Sequence, residues 1–391
     1  MQIVVPTSTS APGVWNLKTV GNSILNYSWP QPDVEVRYLI VAGGGGGGSD
    51  MGGGGGGGGV LTNVTAAYGG QTSFTKLLSP GRYPIIVGQG GAGAPAGTGQ
   101  PRGSNGGNSS ALGLIAIGGG GGASSHDNPN SPAGSGGSGG GGSGARGGTY
   151  IDLSTDVSST RGGAHGLGTP GQGNDGCPSG RQWYPGGGGG AASAGGYFEY
   201  NITTGNGYQP GAGGRGVTNG ILWETPSSWG GDWPGFLSYP YYGGGGGGAG
   251  YTFRGGDGGW GGGGAGAVGG SLGETSLAQP KAPQPGNSPF GPGSRGGNGE
   301  TNSWANQPGG NGAANTGGGG GGGSHYNLNN YGGNGGSGVV IIRYNGIQKF
   351  TGGTIVQWCD RSQSGNNSLL MQNRSLLRTA HIFYESGELV G

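Results

Sequence analysis

Residues 52–59 are eight consecutive glycines. They follow a first run, 43–48, after only Ser49, Asp50 and Met51. Glycine has no side chain to bury and loses more backbone freedom on folding than any other residue. A chain of 391 residues with 115 glycines therefore cannot hold such tracts by an ordinary apolar core. What remains for cohesion is the peptide group itself. Glycine can adopt the extended polyproline II helix, with three residues per turn and a rise of about 3.1 Å. That helix makes no internal hydrogen bonds, so its N–H and C=O groups point outward. Without Cβ atoms, several such helices can pack side by side and bond through their backbones. At that rise the run 52–59 spans about 25 Å. Similar runs recur at 118–122, 139–142, 186–190, 243–248, 261–264 and 317–323. A strict Gly-X-Y repeat is absent, which excludes a collagen triple helix. Only dense lateral bonding offsets the entropy of ordering glycine, so the arrangement is all-or-none.

The alternative for so much glycine is a disordered low-complexity chain. Three features oppose it. Charged residues make up only 8% of the chain and net charge is +1, whereas disordered chains are usually kept open by charge. Nine Trp, 17 Tyr and seven Phe are more than a linker uses. Strand-like segments also bracket the glycine region, Val34–Ala42 at one end and Val339–Tyr344 at the other.

Glycine is scarce before residue 43 and after residue 344, which divides the chain into three. Residues 1–33 read as an attachment segment with a helical turn or two, closed by Trp29-Pro30 and Pro32. Residues 34–344 read as the glycine domain. "VEVRYLIVA", "GVLTNVTAAY", "QTSFTKLLSPGRYPIIVG" and "SSALGLIAIGG" are strand-like, with a turn at Ser79-Pro80-Gly81. Residues 345–391 read as a hairpin, "QKFTGGTIVQW", and a helix, "NNSLLMQNRSLLRTAHIFYES". Leu369, Leu376 and Phe383 recur every seven residues on one face of that helix, as do Leu370, Leu377 and Tyr384. It is either an ordinary packed helix or one for docking or oligomerisation. The expected fold is mostly β and irregular. A small β-sheet base pairs the opening and closing strands and carries packed polyglycine II helices with long loops, and a short helix lies at the C-terminus.

"VRYLIVAGGGGGG" opening, "GRYPIIVGQGGAG" and "SSALGLIAIGGGGG" following, and "GGNGGSGVVIIRY" closing resemble the glycine-rich domain of bacteriophage tail-fibre and adhesin proteins. The resemblance covers about residues 34–344. In adhesins of the T-even-like kind it implies a sandwich of polyglycine II helices whose loops form the tip that touches a host surface receptor. "PGVWNLKTVGNSILNYSWPQPD" is similar to linker segments of structural proteins from marine cyanophages. Residues 345–391 have no counterpart in the adhesin pattern. The resemblance implies a virion location, other virion proteins and a host surface protein or glycan as partners, and no cofactor.

If glycine rods are a scaffold, specificity lies in the loops. Close to half of the aromatics fall between residues 181 and 260. The candidate receptor-binding residues are Trp183, Tyr184, Tyr197, Phe198, Tyr200, Trp223, Trp229, Trp233, Phe236, Tyr239, Tyr241 and Tyr242. Trp and Tyr among Ser, Gly and Asn give large contact area with few rotors. Covering the glycine lattice is the competing role for such rings, and Tyr251 and Trp260 suit it.

Other chemistry is weakly encoded. Glu224 and Asp232 sit eight apart beside aromatics, the equipment of glycoside hydrolysis, but two carboxylates in a loop arise readily by chance. A surface-polysaccharide depolymerase is thus a third reading, after a receptor-free virion part; no enzyme is expected. His126, His165, His325 and His381 lack metal-ligand spacing. Matches to G-x-G-x-x-G carry no information in such a chain. No basic stripe points to nucleic acid and no apolar run of 18 residues to membrane insertion. The N-terminus does not read as a signal peptide, so synthesis in a host cytoplasm is expected. The distant Cys177 and Cys359 read as free thiols.

Overall fold

The computed structural model describes residues 18, 20, 22, 33–64, 76–97, 99–124, 132–144, 164–179, 184–196, 199–200, 208–222, 241–250, 255–267, 308–325, 330–359 and 377–391. Lys18, Val20 and Asn22 have helical backbone; the other described residues are strand, turn or extended chain.

The β-branched opening run forms strand β1 (Val34–Val41). It lies at the centre of a six-stranded sheet. On one side it pairs antiparallel with the closing strand, Val339–Asn345, bringing Val41 opposite Val339 and Val36 opposite Tyr344. On the other side it pairs with β2 (Val60–Thr62) and, at its beginning, with β3 (Lys76–Leu78). The two ends of the glycine domain are thus stitched together, as the sequence leads one to expect. Side chains along β1 alternate between two apolar clusters. Val34, Val36 and Ile40 face one that includes Val340, Ile342 and Phe350. Leu39 and Val41 face another that includes Val60, Val217, Ile221 and Tyr242. Around Leu39–Val41 and Val339–Tyr344 both faces of the sheet are buried, which explains the nearly continuous hydrophobic runs there.

The turn at Ser79-Pro80-Gly81 does separate β3 from β4 (Arg82–Ile85), but they do not pair with each other. Strands β5 (Ser109–Ala111) and β6 (Leu114–Ala116) form a tight hairpin. Its two turn residues, Leu112 and Gly113, both have left-handed φ, 57° and 78°. Short pairs join β7 (Glu199–Tyr200) to β8 (Tyr208–Gln209) and β9 (Val217–Thr218) to β10 (Tyr241–Tyr242). The closing strand is β11. Beyond it come β12 (Thr354–Cys359), β13 (Leu377–Phe383) and β14 (Gly387–Val390).

The expected C-terminal helix is corrected here. Residues 377–383 are strand β13, inserted between β11 and β12, while Leu369, Leu370 and Leu376 lie outside the described residues. The free edge of β11 explains the difference. Its unpaired N–H and C=O groups need a partner, and that ladder overrides helix propensity and the seven-residue spacing. The residues after 344 therefore complete the base sheet, and β14 pairs with β4 beneath it.

Above the sheet the glycine tracts form a lattice. In rod 43–48, Gly43 and Gly46 donate to Gly107 and Ser104, Gly44 and Gly47 to Gly336 and Gly333, and Gly45 and Gly48 to Gly56 and Gly53. The donor direction repeats every third residue, as three residues per turn requires. The carbonyls of the same rod follow the same rule. Gly43 and Gly46 accept from Gly119 and Gly122, Gly44 and Gly47 from Gly91 and Ala94, and Gly45 and Gly48 from Gly320 and Gly323. One rod is thus surrounded by six others, the geometry of hexagonal packing. Rod 52–59 repeats the scheme. Its N–H groups rotate among Gly323, Ala123, Gly186 and their counterparts three residues on. No glycine in either rod has a left-handed φ, so the helix is the polyproline II hand. Side chains are excluded by contact. A Cβ on Gly55 would stand 2.2 Å from the carbonyl oxygen of Gly45.

Candidate functional site

The rods run alternately away from the sheet and back. Rod 43–48 leaves β1 and ends at Ser49–Met51, and rod 52–59 returns to β2. Hydrogen bonds place other rod ends level with that turn. Gly53 donates to Ala123, Gly144 to Met51, Ala249 to Gly52, Gly323 to Gly48 and Ala94 to Gly47. The chain therefore leaves the described structure at this far end after residues 124, 144, 250 and 325. Rod 185–190 runs parallel to rod 52–59, with Gly186 beside Gly54 and Gly189 beside Gly57, so Tyr184 enters it from the far end. Gly211 donates to Pro185, which sets the β7–β8 hairpin at the same end.

The far-end turn is held tightly. Asp50 and Met51 are consecutive non-glycine residues with left-handed φ, 54° and 58°, and both are buried. Such backbone costs about 1 kcal/mol or more per residue and persists where the surroundings over-determine it. The amide of Ser49 donates to Ser124 Oγ at 3.0 Å. The Asp50 carboxylate, with no side-chain exposure, meets Nδ1 of His325 at the end of rod 316–323. Burying a carboxylate demands such a partner. The sequence signal for this pair was an aspartate standing alone between two glycine runs.

The aromatic candidates separate into two ends. Tyr184 is half-buried at the far end, and Tyr200 pairs with Tyr208 across the hairpin there. Trp183, Tyr197 and Phe198 lie outside the described residues, as do Trp223, Trp229, Trp233, Phe236 and Tyr239. The chain leaves the structure after Leu222 and re-enters at Tyr241, and both flanks sit at the sheet end. There the carbonyl of Ile221 accepts from Nη1 of buried Arg343 at 2.9 Å. Tyr242 is 1% exposed and belongs to the core cluster with Val41 and Val339. Burial pushes its hydroxyl pKa well up. It is a packing residue and offers no contact surface.

Tyr241 meets the ring of Trp260 edge-on, with centroids 5.1 Å apart. The guanidinium of Arg215 lies 5.1 Å over the same Trp260 ring. Trp260 is 47% exposed, so it clasps two rods from outside. Among the described residues no group of three or more His, Cys, Asp or Glu side chains could hold a metal ion. Glu224 and Asp232 lie outside the described residues. Cys177 is a buried free thiol whose pKa burial pushes up to about 12.

Asparagine side chains finish the lattice at its perimeter. Oδ1 of Asn105 accepts from Gly121 N at 3.0 Å and Oδ1 of Asn108 from Gly118 N at 2.9 Å. Asn334 does the same for Gly93, and Asn330 for Gly97. A carboxamide is a peptide group on a side chain. Asn105 and Asn108, three residues apart, stand in for the rod that is missing outside.

Inner rods bonded to six neighbours, a β base that joins the domain's ends, and several excursions leaving from the end opposite that base define a polyglycine II glycine-rich domain. The chain belongs to the glycine-rich domain family, whose model matches residues 19–233. No match is found among the curated proteins compared.

Proposed function

We propose that this chain is a phage virion protein of the tail-fibre or adhesin-tip type, which presents recognition loops on a rigid glycine support. The observation that carries the reading is the far end of the lattice. Several excursions leave from one face there, around a turn locked by Asp50 and His325. Loops on a rigid scaffold can be exchanged without disturbing what holds them. The contact residues proposed are Trp183, Tyr184, Tyr197, Phe198 and Tyr200, which belong to segments flanked by far-end residues. Trp223, Trp229, Trp233, Phe236, Tyr239 and Tyr241 form a second group whose flanks adjoin the base. The ligand class is a host surface protein or glycan, and the neighbours are other virion proteins.

The test uses intact phage particles and an antibody raised against residues 145–163, which connect two far-end rods. Labelling of the outer tips of the fibres, with loss of adsorption to host cells, is the expected result. Labelling of the capsid with unchanged adsorption would replace the proposal by a purely structural virion role.

A further inference from the structure

Among the described residues, strand β12 is the outermost strand of the base sheet and pairs with β13 alone. Thr354, Ile355, Val356 and Gln357 are all exposed, Ile355 at 36% and Val356 at 40%. Successive strand residues point to opposite faces, so both faces of β12 meet solvent as well as its edge. Natural edge strands are guarded by lysine, proline, a bulge or extreme shortness. The run Thr354–Cys359 is six residues long and contains no charge and no proline. The opposite flank of the sheet is not comparable, because β2 is three residues long and runs straight from a lattice rod.

We infer that β12 is a homodimer interface, at which two copies of this chain pair β12 with β12 antiparallel and continue the base sheet across a two-fold axis. The row of outward N–H and C=O groups selects an extended strand as the occupant. The side chains select a copy of the same strand. In an isologous antiparallel pair, opposed residues share a face, so the residue at the axis meets its own copy. Like charges there would repel; with Ile355 or Val356, the middle of the exposed stretch Thr354–Gln357, at the axis, each meets an identical β-branched apolar side chain. With Val356 at the axis, Ile355 lies opposite Gln357 and Thr354 opposite Trp358, and no charge enters the ladder. Pairing would cover the edge and shelter apolar side chains that now stand in water.

The full-length chain is tested by light scattering after size exclusion, over a hundredfold range of concentration. A mass twice 37.8 kDa is expected at the upper end. Ile355→Lys and Val356→Lys, at exposed sites, should each return the mass of one chain with the melting temperature of its folded monomer kept. Amide exchange across 354–358 in the wild type gives a second readout, with protection that grows with concentration. A single-chain mass throughout, a double mass that survives both substitutions, or protection independent of concentration would each overturn the proposal. The last is also the outcome expected if residues 360–376 of the same chain cover the edge.

Discussion

The hydroxyl of Tyr344 lies 3.1 Å from Nε2 of His381, and that contact fixes the charge of a fully buried imidazole. Tyr344 Oη already accepts from the amides of Lys349, at 2.8 Å, and Phe350, at 3.2 Å. Its own proton is what remains for His381, so Nε2 accepts. Nδ1 then carries the ring hydrogen and donates to the carbonyl of Gly352 at 2.7 Å. A second proton on the ring would face an oxygen whose lone pairs are engaged. Desolvation lowers the pKa of His381 below its ordinary 6.5, while the Gly352 bond partly opposes the shift.

A pH dependence follows. The unfolded state takes up the proton at about pH 6.5 while the folded state resists it. The stabilisation is complete above that pH and is lost as pH falls from 6.5 toward the folded value. One group changes stability by at most about 1.4 kcal/mol per pH unit. Melting temperatures between pH 7.5 and 5 should fall for the wild type and fall less steeply for His381→Gln. Equal slopes would mean that the imidazole is not kept neutral.

The lattice makes a sharper demand. In Gly55→Ala the new Cβ meets Gly45 O at 2.2 Å, and rod 52–59 has no free side toward which to shift. The cost should exceed about 4 kcal/mol, the range reserved for disrupted cores. In Gly81→Ala the nearest atom to the new Cβ is Ser79 O at 3.9 Å, and φ is not left-handed. That variant should stay within about 0.5 kcal/mol of wild type or gain slightly from a stiffer unfolded chain. Thermal unfolding of the two separates backbone packing from a general intolerance of alanine.

Asparagine surrogates should show a graded effect. Asn105 supplies an acceptor to Gly121 N and a donor to Ser135 O, at 3.0 Å each. Asn105→Ala removes both, but the site is exposed enough for water to replace them in part. A loss of about 1 kcal/mol is expected. Asn105→Asp keeps the acceptor and should lose less. Amide exchange at Gly121 should quicken in the alanine variant and stay near wild type in the aspartate one.

Much of this architecture was legible from residues. Val34–Ala42 and Val339–Tyr344 announced a pair because both are dense in β-branched side chains at the borders of the glycine. The tracts announced rods because only backbone bonding can order them. Which rods touch was not legible, since every glycine presents the same two groups and position in the lattice leaves no mark on the residue. Asn105 and Asn108 carry such a mark, a three-residue spacing, but polar residues in a loop look alike until the missing rod is seen. The seven-residue spacing of Leu376 and Phe383 suggested a helix because nothing local reports the open edge of β11. Tyr242 looked like a contact residue for the opposite reason: it borders an aromatic loop in sequence and the sheet core in space.

Cys177 offers a measurement of the lattice itself. Its amide donates to Gly187 and its carbonyl accepts from Gly142, so it is one link of a rod, with its thiol buried and its pKa near 12. The thiolate is the reactive form, so two barriers, burial and protonation, protect this sulfur. In a Cys359→Ser background, a disulfide reagent at pH 8 should leave the folded protein unlabelled for hours and label one thiol at once in guanidinium. Slow labelling of the native state then reports opening of the rods. Gly55→Ala, if any folds, should raise that rate by orders of magnitude, while Gly81→Ala should not. Prompt labelling of native Cys359→Ser protein would mean that the rods around Cys177 separate readily, against the bonds that tie it to Gly187 and Gly142.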